Sequence, residues 1–294
     1  MKVNISYQTR SAPWGGANQF LSFLKKNLIK DGIYHENALE SDYVIFNSHH
    51  DLNKVSLIKQ LNPNCKIIHR IDGPIYKIRN CSTNEDINLL KFASEFSDIV
   101  IFQSEWSRNS IVDLCERNNI SLPEKSFTIV NSCDYDLFYN KHLNVKNKFL
   151  ISTWSNNYRK GFDTYSQIDS FLDDPIFSNI QIDFIGRSPI VFKNIKMHQP
   201  VETKELSSMM QNYDGYITAS QNDPCSNSLC EAAQFGLKIL ALNDGGHPEV
   251  CEKYECANIL FDKISKGHLV DFISLANKPH NNYNSYSHYK SIFI

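Results

Sequence analysis

The chain has 294 residues, 41% of them hydrophobic and 12% aromatic, with a formal net charge of −2. At about 150 residues per domain that length predicts two domains, each with its own core, and near-neutrality argues against a nucleic-acid binder carried by bulk charge. The opening stretch MKVNISYQTR lacks the apolar region of a secretory leader, and no run reaches the roughly 18 apolar residues of a membrane span, so a cytoplasmic protein is expected. None of the eight cysteines forms Cys-x-x-Cys; the wider Cys225/Cys230 and Cys251/Cys256 spacings are read as reduced, buried or half-buried thiols in preference to zinc ligands.

Short apolar runs alternating with helical patterns predict parallel-sheet α/β architecture. Lys2–Tyr7 reads as the first strand. A polar loop containing Gly15 and Gly16 leads into an amphipathic helix with Phe20, Leu21, Leu24 and Leu28 on one side. Glycines at a strand-to-helix turn let the backbone approach a ligand, although a tight turn alone also explains them. Further strands are expected at Tyr43–Phe46, Lys66–Ile71, Ile99–Phe102 and Phe127–Val130, with helices at Val55–Leu61, Leu89–Phe96 and Glu105–Arg117. The third strand runs into Asp72-Gly73-Pro74, which puts Asp72 at the sheet's carboxyl edge; His69, inside the strand, is the alternate, and His49-His50 are read as loop.

Asp134-x-Asp136, shortly after a strand, has the form of a divalent-metal motif. A second domain opens with a strand at Phe149–Ser152, and Arg159-Lys160-Gly161 follow in a strand-to-helix loop where two cations could clamp a diphosphate. Ile182–Ile185 ends in Gly186-Arg187, and Val201 precedes a helix from about Thr203, with Glu205 as a capping-box partner. Next comes a strand (Tyr216–Ala219), an acidic loop with Asp223-Pro224, and a nearly all-apolar helix, Asn227–Phe235, with Ser226 as N-cap and Gly236 just past its end. One acid, Glu231, interrupts that helix; it is either a costly buried carboxylate or a surface acid favoured by the macrodipole. A strand at Lys238–Leu242 leads to Gly245-Gly246-His247-Pro248-Glu249. Beyond Val250 only a strand near Ile259–Phe261 and a helix at Leu269–Ala276 are expected, then a tail rich in Asn, Tyr, Ser and His.

Acid–Pro, then seven residues, Glu-Ala, and a downstream Gly-Gly-x-Pro-Glu together resemble the signature of the family 4 retaining glycosyltransferases. That resemblance implies the GT-B fold, two Rossmann-like parallel-sheet domains facing across a cleft, with an acceptor domain at 1–140 and a nucleotide-sugar domain at 141–276; the family usually ends in a helix crossing back to the first domain, whereas the composition of 277–294 predicts an irregular tail. It implies that Glu231 holds the donor ribose, and that Asp223 with backbone amides of Cys225, Ser226 and Asn227 holds the donor sugar. Lys160, Arg159 and the amides near Gly15, Gly16, Gly245 and Gly246 would offset charge on the leaving diphosphate, while Gly186 and Val201 line the nucleotide. Asp72 would stand near the reacting sugar. The first acid of the signature is usually Glu in the family and is Asp223 here, and an Arg expected before Lys160-Gly161 is replaced by Thr153 or Trp154. The implied partners are a UDP- or GDP-sugar donor and a glycan, lipid-linked or small-molecule acceptor, with peripheral membrane contact a further implication and no metal cofactor. A transferase-derived binding subunit and a GT-B epimerase or phosphorylase are the rival readings. A dinucleotide-dependent oxidoreductase ranks last, because no Gly-x-Gly-x-x-Gly follows the first strand.

Overall fold

A computed structural model describes residues 1–8, 16–134, 136–138, 147–278 and 283–293. In chain order the first five strands and their helices are β1 (Val3–Ser6), α1 (Gly16–Lys30), β2 (Tyr43–Asn47), α2 (Leu52–Leu61), β3 (Lys66–Arg70), α3 (Ile75–Arg79), α4 (Asn84–Phe96), β4 (Ile99–Phe102), α5 (Glu105–Arg117) and β5 (Ser126–Thr128). The remainder is β6 (Lys148–Thr153), α6 (Phe162–Phe171), β7 (Gln181–Gly186), β8 (Lys196–His198), α7 (Thr203–Met210), β9 (Gly215–Thr218), α8 (Asn227–Phe235), β10 (Lys238–Leu242), α9 (His247–Lys253), β11 (Asn258–Phe261), α10 (Lys266–Ser274) and α11 (Ser285–Ile292). The chain divides into two compact units, one built on β1–β5 and closed by α11, the other spanning Ser132–Tyr283. No helix among the described residues is long and apolar enough to cross a membrane.

The first unit is a parallel sheet in the order β1-β2-β3-β4-β5. A parallel bridge between Val3 and Tyr34 adds one more position outside β1, so the chain steps outward after α1 and then crosses to β2 on the other side. Such a reversal puts the helices on opposite faces when crossovers keep their usual hand. Strand alternation shows the two faces. Ile45, Ile68 and Ile101 pack with Phe20, Leu21, Leu24 and Leu28 of α1 and with Tyr286, Tyr289 and Phe293 of the closing segment. Val44, Phe46 and Ile67 meet Val55 and Ile58 of α2, while Val100 and Phe102 meet Leu89, Ile111 and Leu114 of α4 and α5.

The tail therefore differs from the irregular segment expected at 277–294. Asn284 caps α11 by accepting from the Tyr286 N–H, and Asp31 accepts from the Tyr286 hydroxyl and the Lys290 ammonium (2.8 and 2.7 Å). Polar composition masked an aromatic stripe at i, i+3 and i+7. The capping box expected at α7 is also absent: its N-cap is Glu202, with no side-chain cap bond, because the Thr203 hydroxyl sits one residue too late.

The second unit is a parallel sheet in the order β11-β10-β9-β6-β7-β8, with Phe149, Ile151, Phe184, Ile217 and Leu240 packed against Phe162 and Tyr165 of α6 and Phe272 of α10. At the amino end of β10, Lys238 is 3% exposed. Its ammonium meets Asp214 (2.8 Å), donates to the Ile273 and Leu275 carbonyls at the end of α10 (3.0 and 3.2 Å), and lies over the Phe149 and Phe272 rings. Removing one partner of a buried pair leaves the other uncompensated. Lys238→Met should therefore cost about 3 kcal/mol in the urea unfolding of the protein. A loss below about 1 kcal/mol would refute this account.

Candidate functional site

In the second sheet the strand order reverses at β6. The chain proceeds to β7 and β8 on one side, then returns to β9, β10 and β11 on the other. The loops after β6 and β9 consequently diverge from neighbouring strand ends, the place where open α/β sheets bind ligands. Backbone contacts tie these loops together. Gln221 donates its N–H to the Arg159 carbonyl (2.7 Å), and Ala219 donates to the Tyr165 hydroxyl (3.0 Å). Gly161, at φ +98°, lies so close that a Cβ there would stand 2.6 Å from that of Ala219.

Across this junction the Lys160 ammonium donates to the Asp223 carboxylate at 2.9 Å. Burial works against the charged carboxylate, yet the Lys160 ammonium above all, with the Cys225 N–H, holds the Asp223 pKa below its ordinary range. The loop after β10 closes the third side. Gly246 donates its N–H to the Asp223 carbonyl (2.8 Å), and the Asp244 carboxylate accepts from the Asn222 N–H (2.7 Å). Gly245 is at φ +62°, and a Cβ on it would come within 2.3 Å of the Asp223 carbonyl oxygen. Gly245→Ala should accordingly displace the Asp223 loop and cost about 1–3 kcal/mol in urea unfolding; unchanged stability would show that the loop tolerates the shift.

Behind Asp223, α8 starts as the sequence implies. The Ser226 hydroxyl accepts from the Leu229 N–H, and Gly236 ends the helix at φ +87°. Cys225 and Cys230 pack sulfur to sulfur at 3.8 Å across the helix start, in the positions of a hydrophobic staple. Glu231 is 5% exposed, which settles its two sequence readings for the buried carboxylate. No hydrogen bond or ion pair reaches it among the described residues, and burial alone pushes its pKa up to about 8. An acid in such a place is a hydrogen-bonding group awaiting a partner.

The other predicted residues of the second unit lie at strand and helix ends. Gly186 ends β7 at φ +132°, where a Cβ would meet the Thr153 carbonyl oxygen at 1.9 Å, so the ends of β6 and β7 touch through backbone. Arg159 is half-buried beside Lys160, Asn227 opens α8, and Val201 lies half-buried before α7. Gly16 is the first residue of α1, whereas Gly15 lies outside the described residues. At the start of the linker, Asp134 accepts the Asp136 N–H on its carboxylate and the Leu137 and Phe138 N–H groups on its carbonyl, which shapes a turn.

The carboxyl edge of the first sheet carries a polar network that sequence reasoning found only in part. Asp72 accepts hydrogen bonds from Gln103 and from Asn47 (3.4 Å) and lies 3.8 Å from the Arg70 guanidinium. Arg70 is fully buried, stacks on Phe20, and donates to Asn47 and to Asn131 (2.8 Å); Asn131 in turn donates to Gln103 (3.0 Å). An arginine inside an apolar strand gives no local signal of this, since the groups it donates to stand at the end of β2 and just beyond β5. His69, the alternate for Asp72, is a core histidine. It stacks on Phe46, contacts the Ser48 carbonyl at 3.0 Å, and has its pKa driven down to about 3 by burial. Its ring reaches the backbone just past the end of β2 but is completely buried.

No family model and no curated sequence matches the chain. Solved structures do. Anabaena HepE, crystallised with UDP-glucose, superposes with a TM-score of 0.67 at 16% identity over 93% of this chain and 89% of its own. WaaG, a glycosyltransferase involved in lipopolysaccharide biosynthesis, gives 0.62 at 12% over 93% and 90%, and a Burkholderia multivorans trehalose 6-phosphate synthase gives 0.60 at 14% over 88% and 68%. With two parallel-sheet α/β units and these neighbours, the chain has the GT-B fold.

Proposed function

We propose that the protein is a retaining, metal-independent glycosyltransferase that moves a sugar from a nucleoside-diphosphate sugar to a hydroxyl of a glycan, lipid-linked or small-molecule acceptor. The observation that carries this reading is Glu231, a buried carboxylate without a partner, set behind the Lys160–Asp223 pair at the strand-order reversal of the second sheet. Two ribose hydroxyls supply the donors such a carboxylate lacks. Asp223, itself held by the Cys225 N–H, and the backbone N–H groups of Ser226 and Asn227 then receive the donor sugar. Lys160 and Arg159 meet the diphosphate, whereas the Gly245 and Gly246 N–H groups, also expected there, are engaged by the Asp244 carboxylate (2.8 Å) and the Asp223 carbonyl (2.8 Å). The HepE structures contain UDP-glucose and UDP, which makes the uridine nucleotides the first to test here.

In this mechanism the bond from the anomeric carbon to the diphosphate oxygen lengthens first, and negative charge gathers on the leaving group. Preorganised cations and amides stabilise that charge more in the transition state than in the ground state, with no reorganisation at the moment of reaction. The acceptor oxygen attacks from the face the diphosphate is leaving and passes its proton to a diphosphate oxygen, so configuration is retained without a covalent enzyme intermediate. Asp72 is assigned to the oxocarbenium-like sugar, where a carboxylate offsets developing positive charge.

The test is a thermal-shift titration with UDP, GDP, ADP and their sugar conjugates, in EDTA and then with Mg²⁺ or Mn²⁺. A ligand that binds only the native state raises the midpoint by mass action. One nucleotide family should raise it equally with and without EDTA, and Glu231→Ala should remove the shift. No response to any nucleotide would sink the donor assignment, and a response that requires the metal would sink metal independence.

A further inference from the structure

His247 follows the Gly245-Gly246 pair as the first residue of α9, and it is completely buried. Its Nδ1 lies 3.0 Å from the Leu242 carbonyl oxygen at the end of β10. A carbonyl can only accept, so Nδ1 carries the proton of that contact. Burial holds the imidazole pKa below its ordinary value, against the pull of the neighbouring Asp223 carboxylate, so the ring is neutral and Nε2 is a bare acceptor. That nitrogen is buried with no hydrogen-bond partner. Buried acceptors are nearly always satisfied, and an orphan costs the free energy of a lost hydrogen bond. This one belongs to the loop whose preceding residue, Gly246, is hydrogen-bonded to Asp223.

We infer that His247 Nε2 is a specificity-determining acceptor that takes a hydrogen bond from one hydroxyl of the donor sugar. The inference rests on the nucleotide-sugar reading and adds a selection rule to it. The ring requires a hydroxyl, because a bare nitrogen beside the Asp223 carboxylate repels a phosphate oxygen and cannot donate to a carbonyl or ether. Asp223 is neutralised by Lys160, while the imidazole has no counterpart among the described residues, so the ligand must bring one. A site with an unsatisfied acceptor discriminates strongly against an analogue that lacks the matching hydroxyl.

The experiment is calorimetric titration of UDP, UDP-glucose, UDP-galactose, UDP-N-acetylglucosamine and GDP-mannose into wild-type protein. It is followed by the parent nucleotide, the tightest sugar nucleotide and its monodeoxy analogues titrated into wild type, His247→Asn and His247→Gln. Asparagine can keep the bond to the Leu242 carbonyl while removing the acceptor at Nε2; glutamine places a carbonyl oxygen close to that position. His247→Asn should leave affinity for the bare nucleotide unchanged and lower that for the sugar nucleotide about 3- to 12-fold, with His247→Gln recovering part of the loss. One deoxy analogue should be penalised by wild type and not by His247→Asn. Equal losses for nucleotide and sugar nucleotide, no loss at all, or a deoxy penalty that persists in His247→Asn would overturn the assignment. If no nucleotide binds wild type, the underlying reading fails instead.

Discussion

Glu231→Gln should make the ligand-free protein harder to unfold at alkaline pH and at the same time unable to hold a nucleotide well. The folded acid keeps its proton up to about pH 8, whereas the unfolded chain releases it near the ordinary value of 4.5. Between those two values the native state binds more protons than the unfolded one, so this group's contribution to stability declines as pH rises from about 4.5 and is lost by about pH 8. Glutamine copies the neutral acid and titrates nowhere. The variant should match wild type near pH 4 and exceed it by on the order of 4 kcal/mol above pH 8, seen as a higher unfolding midpoint. Binding should move the other way. Ribose hydroxyls favour the ionised carboxylate, so wild-type affinity for the nucleotide should rise towards pH 8, by up to about tenfold per pH unit, with a proton released on binding. Glu231→Gln should bind at least tenfold more weakly at pH 8 and lose that slope. A wild-type affinity independent of pH between 6 and 8 would rule out ribose recognition by an initially protonated Glu231.

Lys160→Met should cost turnover more than affinity. The ammonium compensates Asp223 at 2.9 Å in the ligand-free protein and, in the proposed mechanism, faces the diphosphate as it departs. Losing one preorganised electrostatic stabiliser typically lowers kcat by about 10²- to 10³-fold. The same substitution removes the main influence that holds the Asp223 pKa down, so the acid limb of the rate profile should move to higher pH. Initial rates of sugar transfer or donor hydrolysis between pH 5 and 9 would measure both effects. A kcat within threefold of wild type would place the leaving-group charge elsewhere.

The second unit was largely legible in the sequence because its signals are local. The Ser226 hydroxyl and the left-handed backbone open to Gly236 cap α8 as expected, and strand, loop, helix, strand between Tyr216 and Leu242 follows from short β-rich runs. The local order was legible too: Asp223 lies in the loop after β9 and Glu231 within α8, as that strand–loop–helix pattern implies. What escaped reading depends on long-range contacts or on elements too short to carry a period. Helix α3 is five residues and β8 three. Arg70 gains its meaning from residues 23 and 61 positions away. His247 gives no sign in the sequence, because only the fold fixes its tautomer and withholds a partner from Nε2. Helix α11 did carry a signal, the spacing of Tyr286, Tyr289 and Phe293, which a polar composition obscured.

The return of the chain to its first unit bears on how the protein is made. A ribosome delivers the sheet β1–β5 early, but the aromatic side chains that cover it beside α1 emerge only after all of Ser132–Tyr283 has been synthesised. Through that interval the nascent chain carries an apolar sheet face around Phe20, Tyr43 and Ile45 that cannot yet be covered, a condition that invites chaperone capture or aggregation. Ser132–Tyr283 is one continuous stretch and can fold in passing. The first unit to be translated is thus the last to be finished.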